Sequence, residues 1–150
     1  STEPTSAVFS VGTSSHANNT GDYIAYAFTS VAGKCKVGSY TGTGAAGNAV
    51  ACGFEPAWVM IRRTNDVGAW EIYDTKRALY GNSPSSKDLQ ADSTGAENAS
   101  TIGNGIDILS NGFKPTTGTL YLNGAGSTYI YMAFAERPFV SSNGVPTVAR

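Results

Sequence analysis

The chain has 150 residues, long enough for one domain with a substantial core. Charged residues make up 14%, against roughly 25% in an average soluble domain, and the net charge of −1 gives no electrostatic case for nucleic acid or an anionic membrane. Glycine is abundant, at 18 residues, and no run approaches the ~18 apolar residues of a membrane span, so membrane insertion is not expected.

The opening Ser1-Thr2-Glu3-Pro4 has no Met, no basic n-region and no apolar h-region. It reads as the start of a piece excised from a longer protein rather than as a signal peptide. Period-2 alternation and short apolar runs bounded by Gly, Asn, Asp and Pro then predict strands. In chain order they are Ala7–Val11, Tyr23–Thr29, Lys34–Tyr40, Asn48–Cys52, Ala57–Arg63, Ala69–Tyr73, Ile106–Leu109, Gly112–Lys114, Thr119–Leu122 and Tyr129–Ala135. No window has a 3.6-residue apolar period, and a short helical turn is expected near Ser86–Gln90.

Two hairpins are marked. Asn65-Asp66-Val67-Gly68 joins two alternating runs, the first with Trp58, Met60 and Arg62 on one face and Ala57, Val59 and Ile61 on the other. Ser110-Asn111-Gly112 joins Ile106–Leu109 to Phe113-Lys114, where Asn-Gly favours a tight turn with positive φ. Tyr129–Ala135 is apolar on both faces and predicts a central strand covered on both sides. Arg77–Gly105 is polar and lacks strand signal, as a long functional or mobile loop would. The whole is an all-β pattern, an antiparallel sandwich or barrel. Residues 1–136 form the expected single domain, and 137–150, with Pro138 and Pro146, an extended C-terminal tail.

One pattern occurs twice. Tyr23–Phe28 reads Y-I-A-Y-A-F and Tyr129–Phe134 reads Y-I-Y-M-A-F, a shared Y-I-x-x-A-F. Each copy follows an Asn/Gly-rich turn, Asn18–Gly21 or Asn123–Gly126. A repeated β-unit points to a modular, binding or structural protein. Too few residues precede the first copy for a module of its own. Either both copies are strands of one sandwich, or residues 1–33 are the closing hairpin of an upstream module.

Cys35 and Cys52 are the only cysteines. A hairpin of Lys34–Tyr40 with Asn48–Cys52, centred between Thr43 and Gly44, would set the two thiols opposite each other within disulfide reach. The alternative is two small unpaired buried residues. With one distant histidine they make no zinc set, and neither a metal nor any other cofactor is expected.

Chemistry is sparse. His16 sits in a Ser/Asn-rich turn without a sequence partner, and no G-x-S-x-G elbow or Ser/His/Asp set exists. Gly42–Gly47 matches G-x-G-x-x-G but lies in a hairpin loop outside any βαβ unit, so it reads as a turn. A glycosidase needs two positioned carboxylates. Glu71 and Asp74 stand three apart, which sends them to opposite faces of a strand. No catalytic residue is therefore assigned. Arg62-Arg63 reads as a solvated or ion-paired strand end.

The densest stretch for ligand binding is Trp70–Tyr80, with Trp70, Tyr73, Asp74, Lys76 and Tyr80 as candidates. Aromatic rings stack on the C–H faces of sugars while acidic and amine groups take the hydroxyls. The competing reading packs Trp70 with Ile72 or Tyr73 in the core and leaves Asp74, Lys76 and Arg77 as a surface ion pair.

Several blocks together resemble a known family: Y-I-A-Y-A-F (23–28), K-V-G-S-Y-T-G-T-G (36–44), G-F-E-P-A-W-V-M-I-R-R-T (53–64), W-E-I-Y-D-T-K-R (70–77), I-D-I-L-S-N-G-F-K (106–114) and Y-I-Y-M-A-F-A-E-R-P-F (129–139). Their order is similar to the C-terminal modules of tailed-phage virion structural and tail-fibre proteins, of the marine and cyanobacterial type. The final N-G-V-P-T-V-A-R is similar to that family's C-terminus. The resemblance implies a β-sandwich of jelly-roll or concanavalin-like layout and a place on the virion surface. It brings no catalytic or ligand residues. It is compatible with a homotrimeric fibre.

The expectation that follows is a non-enzymatic virion surface module for adhesion to host-surface glycan. The first alternative is a capsid-decoration or fibre-assembly domain binding other virion proteins, with Arg137–Arg150 as its docking arm. The second is a polysaccharide-degrading enzyme.

Overall fold

The computed structural model describes residues 5–15, 17–77, 87–99 and 105–136. These residues hold nine strands and no helix: β1 (Cys35–Thr41), β2 (Val50–Ala51), β3 (Pro56–Arg63), β4 (Glu71–Asp74), β5 (Lys87–Gln90), β6 (Asn98–Ala99), β7 (Ile106–Leu109), β8 (Gly112–Pro115) and β9 (Thr128–Ala135). They form two antiparallel sheets, six strands in the order β1-β9-β3-β4-β5-β6 and three in the order β2-β8-β7. The fold is the expected all-β sandwich.

Side-chain alternation decides which face goes inside. In β3, Val59 and Ile61 are fully buried, while Trp58, Met60 and Arg62 face the other way. A bulge between Pro56 and Trp58 resets the register before that alternation begins. β9 sends Tyr129, Tyr131, Ala133 and Ala135 inward. From the small sheet, Phe113 and Ile106 meet them. The rings interlock: Tyr40 stacks on Tyr129 with centroids 5.0 Å apart, and Phe113 meets Tyr131 edge-on at 5.2 Å. Such pairs add about 1 kcal/mol each beyond the area they bury.

β7 and β8 form the hairpin read from the sequence. Its loop residues are Ser110 and Asn111, and Gly112 already pairs with Leu109. Gly112 is there for close approach, not for positive φ: a Cβ would sit 2.0 Å from the Val50 carbonyl oxygen. β3 and β4 form the second expected hairpin.

Other expectations are corrected. β1 and β2 are not a hairpin, because after Thr41 the chain crosses to the small sheet; β1 pairs with β9 and β2 with β8. Cys35 and Cys52 therefore lie on different sheets and both thiols are free. Lys87–Gln90 is strand β5 rather than a helical turn, and with β6 it supplies two strands inside the stretch read as loop. Thr119–Leu122 is a turn, since the Thr119 carbonyl accepts from the backbone N–H groups of Leu122 and Asn123.

That turn presents Asn123, which is fully buried. Its Oδ1 accepts from the Thr43 N–H at 2.9 Å and from Asn48 Nδ2 at 2.8 Å. Its Nδ2 donates to Thr43 Oγ1 and to the Ala45 carbonyl. All the side-chain hydrogen-bonding capacity of one buried amide clasps the 42–48 crossover. The G-x-G-x-x-G run serves this clasp: a Cβ at Gly42 would lie 2.1 Å from the Gly124 carbonyl oxygen, and Gly44 and Gly47 have φ of 74° and 97°.

The largest departure is at the N-terminus. Ala7–Val11 and Tyr23–Thr29 are not strands, and the described residues from Thr5 to Ala32 are exposed. Pairing starts along the free edge of β1, where Val31 bridges Cys35. It stops at once, because Ser30 Oγ accepts from the Val37 N–H and donates to the Val37 carbonyl. One side chain stands where the backbone of an added strand would run, and the chain turns onto the outer face of the large sheet. There Phe28 meets Phe134 edge-on at 6.0 Å.

Candidate functional site

The outer face of the six-stranded sheet is the side away from the small sheet. β9 contributes Ile130, Met132 and Phe134 to it, β3 contributes Trp58, Met60 and Arg62, and β1 contributes Val37. These side chains are half-buried or exposed. The expected cover on both faces of Tyr129–Ala135 is thus complete only on the inner face. Outside, the N-terminal segment lies over part of the sheet and leaves a cleft of about 250 Å³. Met60, Met132, Val37 and Ile130 line it from the sheet, Trp70 lines it from the loop before β4, and Tyr26 and Phe28 line it from the N-terminal segment.

The cleft is lined by apolar and aromatic side chains, and a cation lies close to it. The Arg62 guanidinium lies 5.3 Å from the centroid of the Trp70 ring, a cation–π placement. Arg63 points elsewhere and pairs with Asp66 at 2.8 Å, as a strand-end ion pair does.

Beyond the cleft, Ile24 and Tyr26 are 82% and 81% exposed, and Val8 and Phe9 are also in solvent. This segment is nonetheless built. The Tyr23 hydroxyl accepts from the Asn19 N–H at 2.9 Å and donates to the Ser15 carbonyl at 3.0 Å. In the second copy the Tyr129 hydroxyl accepts from the Gly124 N–H at 2.8 Å and donates to the Leu120 carbonyl at 2.7 Å. The leading tyrosine of Y-I-x-x-A-F ties down the preceding Asn/Gly turn in both copies. The repeat is a structural unit even where the strand after it differs.

The sequence-derived ligand residues do not assemble as one set. Trp70 reaches the outer-face cleft. Tyr73 is buried among the core side chains of the inner face. Asp74 accepts from the Lys76 and Arg77 N–H groups and pairs with the Arg77 side chain, which holds its carboxyl below the usual range. Lys76 pairs with Glu136 at 2.7 Å. Tyr80 lies outside the described residues, as do His16 and the tail 137–150. Trp70 and Asp74 share the outer face by strand parity, while the ion-pair reading matches the contact of Asp74 with Arg77 but not Lys76, whose side chain pairs with Glu136 instead.

A second site lies at the far edge of the sheet. Glu71 and Asp88 are 4% and 6% exposed on the inner faces of β4 and β5. Their carboxyls hydrogen-bond to each other, and Glu71 Oε1 also accepts from Gln90 Nε2 at 3.1 Å. Burial, then the charge of Asp88, pushes the Glu71 carboxyl up to about 7. A proton retained on Glu71 lets the two carboxyls stand side by side between β4 and β5. A pocket of about 220 Å³ opens beside it, lined by Asp88, Gln90, Ser93 and Glu97. Two carboxyls in direct hydrogen bond stand closer than the roughly 5 Å that a retaining glycosidase keeps for its sugar. Sequence reasoning missed this pair because Asp88 falls in a stretch with no strand signal.

The cysteines offer no shared chemistry. Cys35 Sγ donates to the Thr29 carbonyl, and burial pushes the Cys52 thiol up to about 11. Among the described residues no group of three or more His, Cys, Asp or Glu could hold a metal ion.

Residues 1–138 match the profile of DUF7483, a domain of unknown function, and the chain belongs to that family. No curated protein and no solved structure gives a significant match.

Proposed function

We propose that this chain is a non-enzymatic surface module of a tailed-phage virion that docks onto neighbouring proteins of the particle through the outer face of its six-stranded sheet. The observation carrying this reading is the half-open apolar cleft with an ordered, exposed apolar segment along its rim. Methionine and aromatic side chains with one guanidinium suit a protein surface, where desolvation of apolar area supplies affinity. A nucleic-acid partner would need a basic stripe that this face lacks. The virion setting comes from the sequence blocks that resemble phage structural modules.

Adhesion to host-surface glycan is the second reading. It is favoured by Trp70, whose ring is half-exposed beside Arg62 and shares a face with Asp74. One experiment separates the two. Purified chain is titrated against purified virion structural proteins and, in parallel, against a host-polysaccharide array. Virion-protein binding that Met132→Asp abolishes supports docking. Polysaccharide binding that Trp70→Ala abolishes supports adhesion. Binding to neither contradicts both, and new reducing ends in the polysaccharide arm would contradict the non-enzymatic reading.

A further inference from the structure

We infer that the partner of the outer face is a second copy of this chain, the N-terminal apolar ridge of one copy seating in the outer-face cleft of the other. This rests on the docking reading above and adds the identity of the partner. The ridge is prepared for contact: Tyr23 fixes its turn through two hydrogen bonds, and Ile24 and Tyr26 then project into water. An ordered segment loses less entropy on binding than a slack one.

Ridge and groove lie side by side, since Tyr26 and Phe28 are at once the flank of the ridge and the wall of the cleft. A surface carrying both halves of a contact is complementary to a copy of itself under a closing rotation. The area also fits. Phe9, Tyr23, Tyr26 and Phe28, with four exposed aliphatic residues beside them, leave from 41% to 82% of their surface in water. At ~150–250 Å² per aromatic ring this is on the order of 800 Å², the amount each partner of a stable complex buries.

Charge points the same way. Among the described residues from Thr5 to Val31, Asp22 is the one charged side chain, and it is exposed. Arg62 is a cation beside the cleft, over the Trp70 ring that lines it. Ridge on groove brings Asp22 of one copy toward Arg62 of the other, while a strongly acidic or basic partner would find little to pair with. One family profile spans ridge and sandwich together, over residues 1–138.

Sedimentation velocity of the full chain from roughly 1 to 100 μM tests this. The expected result is a dimer or trimer at the upper concentrations. Tyr26→Asp and Asp22→Arg should each weaken association about tenfold or more, and Asp22→Arg combined with Arg62→Asp should restore it. Thermal melts of each variant report whether the sandwich is intact, and the changes at the exposed Asp22 and Tyr26 should leave it so. A chain monomeric throughout overturns the inference, as does an oligomer indifferent to Tyr26→Asp or a charge swap that restores nothing. A monomer that still binds another virion protein leaves the docking reading standing and removes the second copy as its partner.

Discussion

The two copies of Y-I-x-x-A-F share a sequence and a local device, yet only one is a strand. Tyr129–Phe134 lies between β1 and β3, with hydrogen-bonded neighbours on both sides and Tyr129 and Ala133 fully buried. Tyr23–Phe28 has the same tyrosine-to-turn bonds and, among the described residues, no strand paired with it. The tyrosine hydroxyl is a local interaction and follows from nearby sequence. Strand formation is non-local and needs a partner edge. β1 offers that edge, but Ser30 Oγ occupies it at Val37 and diverts the chain.

Substitutions sharpen this contrast. Tyr129→Ala removes a fully buried ring stacked on Tyr40 and should cost about 4 kcal/mol by urea denaturation. Tyr23→Ala, its counterpart in the exposed copy, should cost ~0.5 kcal/mol or less. Equal losses would mean that the first copy is packed as tightly as the second. Asn123→Ala strips four hydrogen bonds from the turn before the second copy and should cost on the order of 3 kcal/mol. Asn19→Ala, in the exposed turn before the first copy, should be near neutral in the same measurement.

The Glu71–Asp88 latch gives a smaller, pH-dependent effect away from both copies. The folded Glu71 carboxyl titrates near 7, above its ordinary 4.5, so the native state holds a proton that the unfolded chain has lost between those values. Its stabilising contribution is full below about pH 4.5 and is lost as pH rises through 7, by on the order of 2 kcal/mol. Glu71→Gln keeps a hydrogen-bonding amide against Asp88 and should flatten that part of the profile, seen by comparing melts at about pH 5 and about pH 8. An unchanged difference would mean that the Glu71 carboxyl is not raised in the folded state. The smallest effect is expected from reductant. With both thiols free, it should leave the melting temperature where it is, whereas a disulfide across these positions would contribute about 2–4 kcal/mol.

What was legible in the sequence is what neighbouring residues decide. The alternation Trp58-Val59-Met60-Ile61-Arg62 gave the inner and outer faces of β3, and the loops at 65–68 and 110–111 gave two hairpins. What was not legible depends on distant partners. Cys35 and Cys52 fit a hairpin until β9 and β8 claim their strands. Asn123 looked like an ordinary turn residue, and its role as a clasp appears only when the 42–48 crossover folds onto it. Of the ligand candidates, Trp70 lines the outer-face cleft, while Tyr73 is held in the core by β4's parity. The apolar outer face was foreshadowed by Y-I-Y-M-A-F, which has no polar side for water.

Backbone hydrogen exchange on dilute protein compares the two copies most directly. The account predicts slow exchange across Thr128–Ala135, set by global unfolding, and near-free exchange across 24–29, where no strand pairs with the chain. Protection of 24–29 comparable to that of β9 would show a tenth strand closed along β1, and would contradict both the exposed ridge and the docking role built on it.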